Sequence, residues 1–143
     1  MKKLWMIVLG LAMIVALGCA KKKPETVIDA PTMVPVSDLN TVYFDFDEST
    51  IRDDQVDTLL GNAAVLKDGS MSVTVEGHCD ERGTNEYNLA LGDRRARGVK
   101  DYLVNLGVDS GRMSVASYGE ERPVCMEHDE SCWWQNRRAQ FLK

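Results

Sequence analysis

Residues 73–106 constrain the fold more than any other part of the chain, because two periodicities meet there almost without a gap. Val73, Val75 and Gly77 alternate with Thr74, Glu76 and His78, the period of a strand with one buried face. Leu89, Gly92, Ala96, Val99, Leu103 and Leu106 then recur at the spacing of an amphipathic helix, whose single apolar stripe needs a sheet to pack on. Between the two, Cys79-Asp80-Glu81-Arg82-Gly83 is a polar turn, Thr84 is placed to cap the helix, and Gly107 supplies the left-handed residue that ends it.

The three arginines of this helix are not equivalent. Arg94 and Arg97 point away from the apolar stripe toward solvent, whereas Arg95 lies about 65° from its centre, beside Asn88 and Leu91. A half-buried guanidinium needs an anion, and the nearest in the pattern is Asp80 at the end of the preceding strand. Two readings of that pair stand side by side. It is either a structural salt bridge pinning turn to helix, or a receptor for a zwitterion in which Asp80 accepts an ammonium and Arg95 takes a carboxylate.

The remaining periodicities complete one domain. Val42, Phe44 and Phe46 alternate with Tyr43, Asp45 and Asp47, which predicts a first strand ending in a polar turn at 47–50. A helix is expected over 53–67, with Val56, Leu59, Leu60, Ala63 and Leu66 on its buried face and Gly69 just past its end. Strands at 113–118 and 139–142 follow. The order is βαβαββ, an α/β (α+β sandwich) arrangement with a mixed four-stranded sheet and helices packed on one face.

The N-terminus reads differently. Lys2 and Lys3 precede an apolar run of 14 residues, 4–17, too short for the roughly 20 that a membrane-spanning helix needs, and this is the pattern of an export signal. Ala16-Leu17-Gly18-Cys19 resembles the lipobox of bacterial lipoproteins, with Ala16 and Leu17 swapped relative to the usual order; the resemblance implies cleavage after residue 18 and acylation of Cys19. Ala20 is not the Asp that marks inner-membrane retention in enteric relatives, so by resemblance the expected location is the outer membrane, on its periplasmic face. Residues 19–40, with Pro24, Pro31 and Pro35, form an extended tether, and residues 41–143 the folded domain.

Charge and cysteine usage narrow the function. Of 17 basic residues two lie in the leader, so 15 face 22 acidic ones, a net charge of −7 that argues against a nucleic-acid partner. Cys19, Cys79, Cys125 and Cys132 lack metal-site spacing. Six residues separate Cys125 from Cys132, enough to close a loop, and an exported chain meets an oxidising compartment, so a disulfide between them is expected.

The stretch GHCDERGTNEYNLALGDRRARGVKDYL resembles the G-H-x-D...N-x-x-L-x-x-x-R-A-x-x-V signature of the OmpA-like peptidoglycan-binding domain, in particular that of its lipoprotein members. VYFDFDESTI upstream and SYGEERP and NRRA downstream extend the resemblance over most of 41–143. It implies a non-enzymatic module that needs no cofactor. Asp80 and Arg95 would hold the meso-diaminopimelate of a peptidoglycan stem peptide, Asn88 and Leu91 would shape the pocket, and Phe46, Asp47 and Arg137 would lie beside the guest. It also implies periplasmic Tol proteins, TolA and TolB, as partners in envelope integrity and cell division, with a general wall-binding lipoprotein outside that system as the alternative. Cys79 departs from the usual small residue or Thr at its position, which opens a rival of another class: a thiol or metal hydrolase built on His78, Cys79, Asp80 and His128.

Overall fold

The sheet places the last strand of the chain in its interior. In the computed structural model, which describes residues 36–143, the elements are β1 (Val42–Tyr43), α1 (Val56–Asp68), β2 (Val73–His78), α2 (Asn85–Asn105), β3 (Met113–Gly119), α3 (Glu130–Asn136) and β4 (Arg138–Leu142). The strand order is β1-β4-β2-β3, with β2 and β3 parallel and β4 antiparallel to both β1 and β2. The expected mixed four-stranded sheet in βαβαββ order is therefore present, with the short α3 added between the last two strands. The leader, Cys19 and residues 19–35 of the tether lie outside the described residues.

Alternation decides which side of each strand meets the helices. Val42, Phe44, Val73, Val75, Ala139 and Phe141 join Leu59, Leu66, Ala96, Val99 and Leu103 in one core. At roughly 25 cal/mol per Å² of apolar surface removed from water, this cluster is the main favourable term in folding. Many of the other strand positions are polar. Gln140 donates to Glu76 at 3.1 Å across the β2–β4 pair, Arg138 donates to Gln140 at 3.0 Å, and the Thr74 and Ser114 hydroxyls meet at 2.8 Å. Leu39 is buried in the core and Val36 N–H bonds Phe141 O, so packing reaches back several residues before 41.

Helix α2 sits very close to the sheet. A Cβ placed on Gly77 would lie 1.8 Å from the Gly92 carbonyl oxygen, so both residues must lack a side chain for the helix to dock at this height. Thr84 caps the helix by accepting from Tyr87 N–H at 3.2 Å, and Gly107 ends it at φ 94°.

Three expectations are corrected. Strand pairing of β1 covers only Val42–Tyr43, although Phe44 N–H still bonds Arg137 O at 3.0 Å before the chain turns at Asp47, φ 59°. The first helix begins at Val56, after one 3-10 turn at Asp53–Gln55. Leu60 is 47% exposed, and Asn62 is buried in that helix instead. Its amide accepts from Asn40 N–H and donates to Asn40 O, both at 2.8 Å, so a polar side chain is buried with its hydrogen bonds satisfied.

Candidate binding site

The end of β2, the start of α2, the turn after β1 and the start of β4 converge on a pocket of about 240 Å³. Its walls include Phe46, Asp47, Asp80, Asn88, Leu91, Arg95 and Arg137, so all seven candidate pocket residues are brought together, with Cys79, Arg82, Gly83 and Tyr87 beside them. The register of β2 against β3 shifts between Gly77 and His78, where the strand gives way to the turn carrying Asp80.

Asp80 and Arg95 do not pair with each other. Arg95 is fully buried rather than half-buried, and its guanidinium donates to three backbone carbonyls: Glu48 O at 2.8 Å, His78 O at 2.8 Å and Asp45 O at 3.0 Å, with Cys79 Sγ at 3.5 Å from Nη1. Carbonyl dipoles from the β1 turn and the end of β2 thus replace the anion expected from the sequence. These contacts tie two segments 30 residues apart to one helix and leave one hydrogen of Nη2 uncommitted.

Asp80 is instead saturated by two other arginines. Oδ1 accepts from Arg82 N–H at 3.1 Å and Arg82 Nε at 3.0 Å, while Oδ2 accepts from Arg82 Nη2 at 2.7 Å and Arg137 Nη1 at 3.2 Å. Burial pushes this carboxyl up, but the hydrogen bonds from Arg82 and Arg137 outweigh it and hold the group below its ordinary range. Arg137 is itself buried. It donates through Nε to Phe44 O at 3.1 Å and bridges Asp80 to Glu130, and these partners overcome its desolvation and raise its pKa.

The rest of the rim is stitched by polar side chains. Asn88 Nδ2 lies within 3.3 Å of both Asp80 O and Arg82 O and also reaches Glu120, so it holds the turn as well as lining the pocket. Tyr87 donates its hydroxyl hydrogen to Asp47, joining α2 to the β1 turn. Arg82 lies between two rings, 3.8 Å from the Phe46 centroid and 4.1 Å from that of Trp133.

Arg82, Tyr87 and Trp133 are pocket or rim residues that sequence reasoning missed. For Arg82 a signal existed: Asp followed two residues later by a donor N–H, with Gly next at φ 122°, is the pattern of a side-chain-closed turn. Trp133 had no such signal, because α3 brings it in from 52 residues beyond Glu81, whose carboxylate accepts from its Nε1 at 3.0 Å. The structure pairs Cys125 with Cys132 as a disulfide, Cα atoms 5.0 Å apart, and Asn136 fastens the same loop through Val124 N–H and the backbone of Cys125.

The geometry does not assemble a nucleophile and base. Burial pushes the Cys79 thiol up to about 11, and burial lowers His78 to about 3. His78 stacks on Tyr118 and neither ring nitrogen has a hydrogen-bond partner, while His128 sits on Glu81 at 2.6 Å instead of approaching Cys79. Among the described residues no three His, Cys, Asp or Glu side chains cluster as metal ligands.

A domain of this topology, with its pocket at the end of the β2–α2 unit, defines a class. Residues 43–131 match the OmpA family, and the chain belongs to that family and, within it, to the peptidoglycan-associated lipoproteins. It is 46% identical over 142 residues to the peptidoglycan-associated lipoprotein of Mesorhizobium japonicum, covering 90% of this chain and 84% of that one. The crystal structure of the peptidoglycan-associated lipoprotein from Burkholderia pseudomallei superposes with a TM-score of 0.69 at 45% identity, over 71% of this chain and 87% of that chain. The cell wall anchor of the T6SS from Pseudomonas aeruginosa is similar at 28% identity and a TM-score of 0.63, over 71% and 77% of the two chains.

Proposed function

We propose that this chain is an outer-membrane lipoprotein, anchored through acylated Cys19, that holds peptidoglycan non-covalently by the meso-diaminopimelate of its stem peptides. The observation that carries the reading is one pocket lined by both a carboxylate, Asp80 on the turn after β2, and a guanidinium, Arg95 on α2. A diaminopimelate side chain ends in an ammonium and a carboxylate on one carbon, and those two groups seek these two charges. Asp80 accepts the ammonium. Arg95 offers its uncommitted Nη2 hydrogen to the carboxylate, while its three carbonyl bonds keep the guanidinium from reorienting.

No bond is broken in this scheme. Tethered copies facing one polymer see a high effective concentration, so weak individual contacts suffice for retention. The names of the related lipoproteins and of the wall anchor support the wall as ligand. Within the same reading the chain works with the periplasmic Tol proteins, TolA and TolB, in envelope integrity and cell division. Similarity to a wall anchor of a different system favours the second reading, a wall-binding lipoprotein outside the Tol machinery.

The test is a pull-down on isolated sacculi comparing the parent with Asp80→Asn and Arg95→Ala, each checked for folding by circular dichroism. Retention of parent chain, lost in a folded Asp80→Asn variant, supports the reading; equal retention of both removes the pocket from it. Mass spectrometry of the mature N-terminus tests acylation of Cys19. Deleting the chain and asking whether Tol-dependent constriction fails separates the two partner readings.

A further inference from the structure

Arg82 makes the contacts that a cationic guest would make. Its guanidinium is flanked by the Phe46 and Trp133 rings at 3.8 and 4.1 Å, and its Nε and Nη2 donate to the two oxygens of Asp80 at 3.0 and 2.7 Å. Two aromatic faces and a carboxylate around one positive charge are the parts of a cation receptor.

Arg82 is also the pocket arginine able to leave. Arg95 and Arg137 are buried and bonded to backbone carbonyls of the β1 turn and strand, so moving either disrupts the fold. The Arg82 side chain is 31% exposed and, among the described residues, donates to no backbone carbonyl; beyond Asp80 and the two rings, Glu130 lies 3.7 Å away and the Arg137 cation, which shares Asp80 Oδ2 with it, repels it. When it departs, Asp80 keeps the hydrogen bond from Arg137 and the one from Arg82 N–H, so the carboxylate stays ionised and aimed.

We propose that Arg82 is an internal competitor, filling the cation subsite formed by Asp80, Phe46 and Trp133 until the ammonium of a guest displaces it. This rests on the reading of Asp80 as the ammonium acceptor. It makes the subsite selective: a guest without a positive charge leaves Asp80 paired with Arg82 and gains nothing there, whereas a zwitterion exchanges one cation for another. Apparent affinity is the intrinsic affinity multiplied by the fraction of molecules in which Arg82 has swung out.

The experiment uses the full chain in detergent micelles, with the Trp133 indole N–H followed by NMR. A stem tripeptide containing diaminopimelate is titrated into the parent, Arg82→Ala and Arg82→Gln. If Arg82 stands aside in about one molecule in ten, both variants bind about tenfold tighter than the parent. Unchanged or weaker binding by the variants overturns the proposal, because Arg82 is then a bystander or a direct guest contact. A second arm omits the peptide: millimolar methylguanidinium shifts the Trp133 resonance saturably in Arg82→Ala and not in the parent, and no response in Arg82→Ala overturns the cation subsite itself. If all three chains ignore the tripeptide while methylguanidinium fills the subsite in Arg82→Ala, the diaminopimelate reading falls and the displacement of Arg82 falls with it, whereas tripeptide binding that is equal in all three chains overturns the competitor role alone.

Discussion

Arg137 Nη1 lies 3.2 Å from Asp80 Oδ2, an ion pair between residues 57 positions apart in which both side chains are less than a tenth exposed. It locks the start of β4 to the turn after β2, so on the proposed reading wall binding and fold stability draw on the same carboxylate. Arg137→Ala leaves Asp80 its three hydrogen bonds from Arg82 but removes the bonds to Phe44 O, Asp80 and Glu130, and is expected to cost about 2 kcal/mol in urea unfolding. Asp80→Asn keeps the shape but loses the charge and turns one acceptor oxygen into a donor facing arginine N–H groups, so it should cost at least as much and, on the proposed reading, abolish sacculus retention.

Two buried contributors to the pH dependence of stability, His78 and Asp80, set in at different points along the axis. His78 is lowered by burial to about 3, so the unfolded chain takes up a proton near pH 6.5 while the folded chain does not. Stability is therefore complete above about pH 6.5 and declines as pH falls toward 3. Asp80 is also lowered, so its contribution is present above the unfolded value of about 3.9 and is lost as pH falls through the folded value. Urea midpoints measured from pH 7.5 to 2.5 should show the first slope flattened in His78→Gln and the second flattened in Asp80→Asn.

Gly77→Ala tests the closeness of helix and sheet. Its methyl group would fall 1.8 Å from the Gly92 carbonyl oxygen, a backbone atom that no rotamer change can move aside. Overpacking of this kind costs about 3 kcal/mol. Since α2 carries Arg95, Asn88 and Leu91, thermal denaturation should shift down and stem-peptide binding should weaken together.

The disulfide should matter locally more than globally. Closing the short loop between Cys125 and Cys132 restricts the unfolded chain by about 2 kcal/mol, and the same loop seats α3 and Trp133 at the pocket rim. Cys125→Ser with Cys132→Ser should lower the thermal midpoint by several degrees and broaden the Trp133 indole resonance, with the β2, β3 and β4 amide resonances unmoved.

Cys79 is buried, and its thiol is pushed up to about 11 by burial, so at neutral pH it stays protonated. Iodoacetamide should alkylate it at least a hundredfold more slowly in the folded chain than in urea, read by mass spectrometry. Rapid alkylation of the folded protein would revive the nucleophile alternative.

Part of the pocket's residue list was legible from local patterns: Asp80 ends an alternating strand, and Asn88, Leu91 and Arg95 share a helix face. Phe46, Asp47 and Arg137 entered through the family resemblance, which aligned them with residues beside the guest. Their bonding partners were not legible. Arg95 was expected to need an anion and found carbonyls, since nothing in a helix's own periodicity says which turn will fold over it. Leu60 was expected inside because it shares a face with Leu59 and Ala63, but the burial of that face stops short of it once Asn62 is bonded to Asn40.

What the sequence determined by itself was the four strands and two longer helices and their order, because strand and helix periods are imposed by backbone geometry within a few residues; the short α3 escaped it. Which charges meet was decided only by tertiary structure. The Arg137 side chain reaches Phe44 across 93 positions, and the Trp133 ring reaches Arg82, on the turn after β2, from α3. Such pairings depend on the relative placement of whole elements, which the core sets collectively and no local run of residues encodes.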